Sequence, residues 1–101
     1  MVATVTIAAD SPWFSGHFPD DPILPGIAQL KMVADLVTSS TEDTLRMTGV
    51  SRVKFRKIVR PEEVLDIHVT CGNKAEQYTF KITSGSDDVC SGWMYFSQDE
   101  K

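Results

Sequence analysis

The chain has 101 residues, a formal net charge of −4 and 42% apolar residues. That is enough to build one core, so a single domain over residues 1–101 is expected, and the acidic balance argues against nucleic acid as the main partner. A chain this short leaves much of its surface uncovered, which a second subunit would remedy.

No apolar segment approaches the roughly 20 residues that span a membrane. The start, "MVATVTIAAD", has no basic region followed by a long apolar run, so no secretory leader and a cytoplasmic location are expected. Cys71 and Cys90 fit no zinc or redox spacing and read as reduced packing residues.

Near the N-terminus Val5 and Ile7 alternate with Thr4 and Thr6, the period of a strand, and Asp10-Ser11-Pro12 ends it. A proline-rich loop comes next, "GHFPDDPILPG" over residues 16–26. Pro25-Gly26 then opens the one convincing helix, "GIAQLKMVADLVTS". Its apolar positions (Ile27, Leu30, Met32, Val33, Ala34, Leu36, Val37) go most of the way round, so something must wrap it.

After the polar loop Ser39–Thr44 the period becomes two. Val53 and Phe55 alternate with Arg52, Lys54 and Arg56; Leu65, Ile67 and Val69 with Asp66, His68 and Thr70; Tyr78, Phe80 and Ile82 with Thr79 and Lys81. "VCSGWMYF" is apolar on both faces, as in a strand inside a sheet. Arg60-Pro61-Glu62-Glu63, Gly72-Asn73-Lys74 and Ser84-Gly85-Ser86-Asp87 read as turns. The order is strand, long helix, four strands. One curved antiparallel sheet round one apolar helix buries both, an α+β layout that matches the hotdog fold.

"WFSGHFPDDPILPGIAQL" resembles the active-site segment of the hotdog 3-hydroxyacyl-acyl-carrier-protein dehydratases, whose pattern is roughly G-H-F-P-x-x-P-x-x-P-G-V-x-x-x-E. "VTIAADSPWFSGHFP" is similar to the strand and loop leading into it, and "VSRVKFRKIVRPEEVLDIHV" to the next strand pair. The resemblance implies a dehydratase that removes water from a 3-hydroxyacyl thioester carried on an acyl carrier protein, with its site built across a dimer interface. One departure stands out. The family's acidic residue lies fourteen positions after the histidine, and here that position is Lys31.

His17 has the ring chemistry of a general base near neutral pH, and Pro19, Pro22 and Pro25 would hold it rigidly. By resemblance the Gly26 N–H, helped by that of Ile27, polarises the thioester carbonyl at the helix start. Phe14, Phe18 and Leu30 would wall the acyl tunnel. Lys31 shares a helix face with Asp35. Four readings stand: a paired surface lysine; an ammonium that protonates the leaving hydroxyl; Asp35 taking over the acid's task from ~5.4 Å away, one turn along; or loss of dehydration with acyl binding retained.

Arg52, Lys54, Arg56, Lys57 and Arg60 place half of the ten basic residues within nine positions. This patch would steer an acidic carrier protein and its phosphopantetheine arm. His68 reads as plain surface. No metal cluster, phosphate loop or cofactor motif is seen, so no cofactor is expected. The expected assembly is a homodimer, with a heterodimer as the other possibility. The rival functions are a non-catalytic acyl-carrier-binding subunit and an acyl thioesterase using Asp35.

Overall fold

The computed structural model describes residues 1–8, 10, 24, 26–40, 45–72 and 76–98. In chain order the elements are β1 (Val2–Thr6), α1 (Gly26–Ser40), β2 (Leu45–Phe55), β3 (Val64–Cys71), β4 (Gln77–Ser84) and β5 (Asp87–Gln98). The strands form one sheet in the order β1-β3-β4-β5-β2, and every pairing is antiparallel.

The meander β3-β4-β5 is built from local turns. Between β4 and β5, Ser84 pairs with Asp87. Gly85 there has φ of 60°, the positive value that a type II′ hairpin needs at its first central residue. The outer strands are recruited from far along the chain. β1 pairs β3 from Val2↔His68 to Thr6↔Val64, and Met1 extends the ladder, its backbone exchanging 2.9 Å bonds with Val69.

Strand alternation sorts the side chains into two faces. The inner face carries Leu65, Ile67 and Val69 of β3, Tyr78, Phe80 and Ile82 of β4, and Cys90, Met94 and Phe96 of β5, all buried. Tyr78 and Phe96 meet edge to face with ring centroids 5.5 Å apart. α1 lays Ala28, Val33 and Val37 into this face, each fully buried. A buried side chain of this kind contributes about 1.5–3 kcal/mol, so the helix–sheet contact is the main stabilising layer.

The helix is not covered all round, contrary to the reading of its apolar positions. One sheet reaches one side only, and Ile27 remains exposed while Leu30, Met32, Ala34 and Leu36 are half-buried. At its C-terminal end the Thr38 and Ser39 hydroxyls donate to the Asp35 and Leu36 carbonyls, both at 3.2 Å. These side-chain bonds compete with the helical ladder and help to end it. Cys90 packs in the core as expected, but Cys71 is exposed, because it is the last residue of β3 and next to the turn.

β2 is an edge strand with two bulges. Ser51 faces Trp93 and Lys54 faces Ser91, so Arg52 and Val53 together oppose the single residue between them, Gly92. Arg52 takes the left-handed conformation there, with φ of 53°.

Candidate functional site

The helix start is fixed from two directions. Leu24 buries its side chain in the core, and its backbone N–H donates to the Val59 carbonyl at 2.8 Å. Two residues on, α1 begins at Gly26. Phe55, at the end of β2, lies over that first turn. A Cβ at residue 26 would sit 2.7 Å from Phe55 Cζ and 2.9 Å from Cε1, so glycine is what lets the ring approach. The first N–H groups of a helix have no partner within it. With the helix dipole they favour a negatively charged group placed there.

Around this point apolar side chains are left open. Ile27 is 65% exposed and Phe55 52%; Ile58, Val50 and Met47 are also exposed. Met47 faces Phe96, Val50 faces Met94 and Phe55 faces Cys90 across the β2–β5 pairing, so these three belong to the inner face. The edge strand thus carries uncovered apolar side chains on its inner face, of which Phe55 lies at the helix start and Val50 and Met47 further back along the strand.

Lys31 donates to Asp35 Oδ2 at 2.9 Å, and the two side chains are 59% and 64% exposed. Ile27, Lys31 and Asp35 are spaced four apart and form one stripe of α1, turned away from the sheet. Gln29, Val33 and Val37 form the stripe turned toward it. The structure therefore sets Gly26 and Ile27 apart from Lys31 and Asp35 only by one or two turns along the same helix.

Gln29 carries no signal in the sequence beyond being a polar residue in an apolar stripe. It is 3% exposed, the only buried polar residue among the described ones, and its Oε1 has no hydrogen-bond partner. An unsatisfied buried acceptor costs about 1–3 kcal/mol. It lies three residues past Gly26, under the helix start.

His17, Phe14 and Phe18 lie outside the described residues. Leu30 is half-buried against the core. The five basic residues of the β2 region divide. Arg52, Lys54 and Arg56 line one groove on the outer face of the sheet, together with His68 and Lys81. Lys57 is instead held by Glu63 Oε1 at 3.0 Å and lies 3.7 Å from Asp87 Oδ2. Arg60 lies further on, in the exposed connector to β3. No group of three His, Cys, Asp or Glu among the described residues is placed to hold a metal, and no described helix is long and apolar enough to cross a membrane.

A single helix backed by an antiparallel sheet in the order β1-β3-β4-β5-β2, entered through a glycine under an edge-strand phenylalanine, defines a hotdog domain. The dehydratase heterocomplex ApeI:P from Xenorhabdus doucetiae has this fold: it superposes with a TM-score of 0.87 at 23% identity, over 96% of this chain and 86% of that one. More particularly, residues 1–93 match the ApeI-like family, described as ApeI dehydratase, and the chain belongs to it. Among curated relatives, the 3-hydroxyacyl-acyl-carrier-protein dehydratase FabZ of Lactobacillus helveticus is 36% identical over 77 residues, 69% of this chain and 52% of the relative. The FabZ of Pediococcus pentosaceus is 32% identical over 107 aligned positions, 95% of this chain and 71% of the relative. The chain thus spans about half the length of the first relative and under three quarters of the second.

Proposed function

We propose that this chain acts on, or binds, 3-hydroxyacyl thioesters of an acyl carrier protein, at a site completed across a subunit interface. The observation that carries the reading is the exposed stripe Ile27–Lys31–Asp35. By resemblance it includes the position of the family's acid, and it faces away from its own sheet. A group that meets it there comes from a second subunit. The open apolar side chains Met47, Val50 and Phe55 on the edge strand support the same arrangement, since an uncapped edge pairs readily with another chain. The second subunit is a copy of this chain or a different subunit, and the dehydratase heterocomplex ApeI:P of Xenorhabdus doucetiae is a precedent for an unlike partner.

In this site His17 of one subunit removes the proton from the carbon beside the thioester. The enolate oxygen that develops is held by the Gly26 and Ile27 N–H groups. The C3–O bond then breaks, the new C2=C3 double bond forms, and a proton delivered to the leaving hydroxyl releases water. The Lys31 ammonium of the other subunit is the donor at hand, and the proton taken up by His17 restores it through solvent, so the step balances. Leu30, with Phe14 and Phe18, walls the acyl chain. Arg52, Lys54 and Arg56 are the contacts for the acidic carrier.

The ion pair of Lys31 with Asp35 favours a second reading. A lysine held by its own helix neighbour is a poor replacement for the family's carboxylic acid. In that reading the chain binds the acyl carrier and its partner subunit supplies the acid. One assay separates them: incubation with a 3-hydroxyacyl carrier thioester, tracking the conjugated enoyl product by absorbance. Turnover by the chain alone supports the first reading. Turnover only with an added hotdog subunit bearing a helix carboxylate supports the second. Release of free thiol instead of enoyl product would overturn both in favour of a thioesterase.

A further inference from the structure

The face of the sheet turned away from α1 carries a row of side chains crossing all five strands. Val2 faces His68, His68 faces Lys81, Lys81 faces Ser91, and Ser91 faces Lys54. At a strand spacing of about 4.8 Å, His68 and Lys54 stand roughly 14 Å apart. The next row is Thr70, Thr79, Trp93 and Ser51. Arg56 reaches into the first row and donates from Nη1 to Ser91 Oγ at 2.7 Å. The bulge keeps Arg52 on the same side as Lys54, at the cost of an uncommon backbone conformation for a residue with a side chain.

The result is a groove of about 670 Å³, lined by Arg52, Lys54, Arg56, Lys81, His68 and Trp93 with several hydroxyls and no carboxylate. From outside the lining Asp88 pairs with Lys81 at 3.2 Å. Arg52 and Lys54 have no ion pair among the described residues. Trp93 lies along the sheet: a Cβ at Gly72 would be 3.2 Å from its Cζ3, so the missing side chain there is what lets the ring settle. Cations gathered across neighbouring strands repel one another. In a chain whose net charge is −4, Arg52, Lys54 and Arg56, with no ion pair among the described residues, gather beside Lys81 and mark a place that an anion relieves.

We propose that this groove is a binding site for a phosphate ester. Guanidinium and ammonium groups from β2, the residue just past it, and β4 converge with the Ser91 and Thr79 hydroxyls, a donor set that suits tetrahedral phosphate oxygens. Trp93 offers a flat wall to the organic part of the ester. The site is distinct from the helix start but close to it, since Lys54 in β2 and Arg56 just past its end flank Phe55, whose ring covers Gly26. The same chemistry is presented by the phosphodiester of a carrier's prosthetic arm and by a free mononucleotide. Arg52, Lys54 and Arg56 are also the carrier contacts of the proposed function, so the carrier-arm source rests on that reading, whereas the anion site itself rests on the outer face.

The test uses the Trp13→Phe variant, in which Trp93 is the remaining one of two tryptophans. Inorganic phosphate, phosphopantetheine and adenosine monophosphate are each titrated at constant ionic strength, reading tryptophan emission and heat. The expected result is saturable binding of an ester with half-saturation below ~1 mM. Lys54→Gln with Lys81→Gln should weaken it at least ~10-fold while thermal unfolding stays unchanged; Arg52→Gln is the independent second variant. Tighter binding of phosphopantetheine supports a carrier arm as the source, and tighter binding of the mononucleotide supports a free nucleotide. Absence of saturation, an equal response to sodium chloride, unchanged binding in the variants, or binding only of a carrier protein that lacks its arm would overturn the proposal. None of these readouts needs turnover, so failure here is separable from failure of the dehydratase reading.

Discussion

Phe55 and Gly26 are fitted to each other: the ring at the end of the edge strand occupies the space where any side chain at the helix start would go, 2.7 Å from a would-be Cβ. Gly26→Ala should therefore push the ring aside. Phe55 is half exposed and has somewhere to move, so the stability loss should be small, near ~1 kcal/mol. A displaced helix start should cost more in turnover or acyl binding, about 10²-fold. Adding Phe55→Ala should recover part of that loss, and a double-mutant cycle of melting temperature and activity measures the coupling.

Lys31 is tied to Asp35, and the two functional readings assign different effects to its replacement. His17→Ala should remove ~10²–10⁴ of any dehydration rate with the fold intact. Lys31→Glu should raise dehydration if the missing carboxylate limits the wild type. Lys31→Met should abolish it if the ammonium is the acid, and should change only acyl affinity in a binding subunit. Enoyl formation by these two variants and the wild type distinguishes the cases by sign.

The inner side of β2 should be a subunit interface. The wild type is expected to sediment as a dimer at micromolar concentration, and Met47→Glu with Val50→Glu to shift it toward monomer. A wild type that is cleanly monomeric in the ultracentrifuge would remove the shared-site arrangement.

Gln29 holds an amide oxygen in the core with no hydrogen-bond partner among the described residues. Gln29→Met keeps much of the volume and removes the orphan, so it should stabilise the fold by about 1–3 kcal/mol in denaturant titration. Acyl-thioester affinity should fall in the same variant if that oxygen accepts a hydrogen bond from the ligand; unchanged affinity would leave Gln29 a purely structural residue.

Burial pushes the Cys90 thiol up from 9.0 to about 11, with Arg56 pulling weakly the other way. A thiol whose folded value exceeds its unfolded value stays protonated in the fold while the unfolded chain ionises. Its contribution is complete below pH 9 and is lost as the pH rises toward 11, about 2–3 kcal/mol in all. Melting temperature should drop across that window, less so in Cys90→Ala after allowing for the cavity. At pH 8 a thiol reagent should modify exposed Cys71 and leave Cys90 until the protein is unfolded.

The strands were readable in the sequence because alternation is a local property: the alternating positions Leu65, Ile67 and Val69, and Tyr78, Phe80 and Ile82, are ones the sheet buries, while Val64 at the strand's start stays exposed. The helix was readable as an element but not in its orientation. Seven apolar residues look alike in sequence, and only the sheet's reach decides that Val33 and Val37 go in while Ile27 stays out. The outer groove was half visible. Arg52, Lys54 and Arg56 are neighbours in the chain, whereas Lys81 and His68 join them only through strand register, which no local pattern records. For the same reason Lys57 looked like a member of the patch, though Glu63 claims it.

The two sides of β2 also bear on how the chain assembles. β3, β4 and β5 are joined by short turns and can zip from their hairpins, but β2 must find β5 across the whole of β3 and β4, and β1 must find β3 across the helix. Contacts that close long loops form late and open first. β2, with only β5 beside it, should therefore be among the first strands to exchange its amide hydrogens. The strand that carries Phe55 inward and Lys54 outward is thus one whose order gains from company, so a subunit or ligand that engages it acts late in folding.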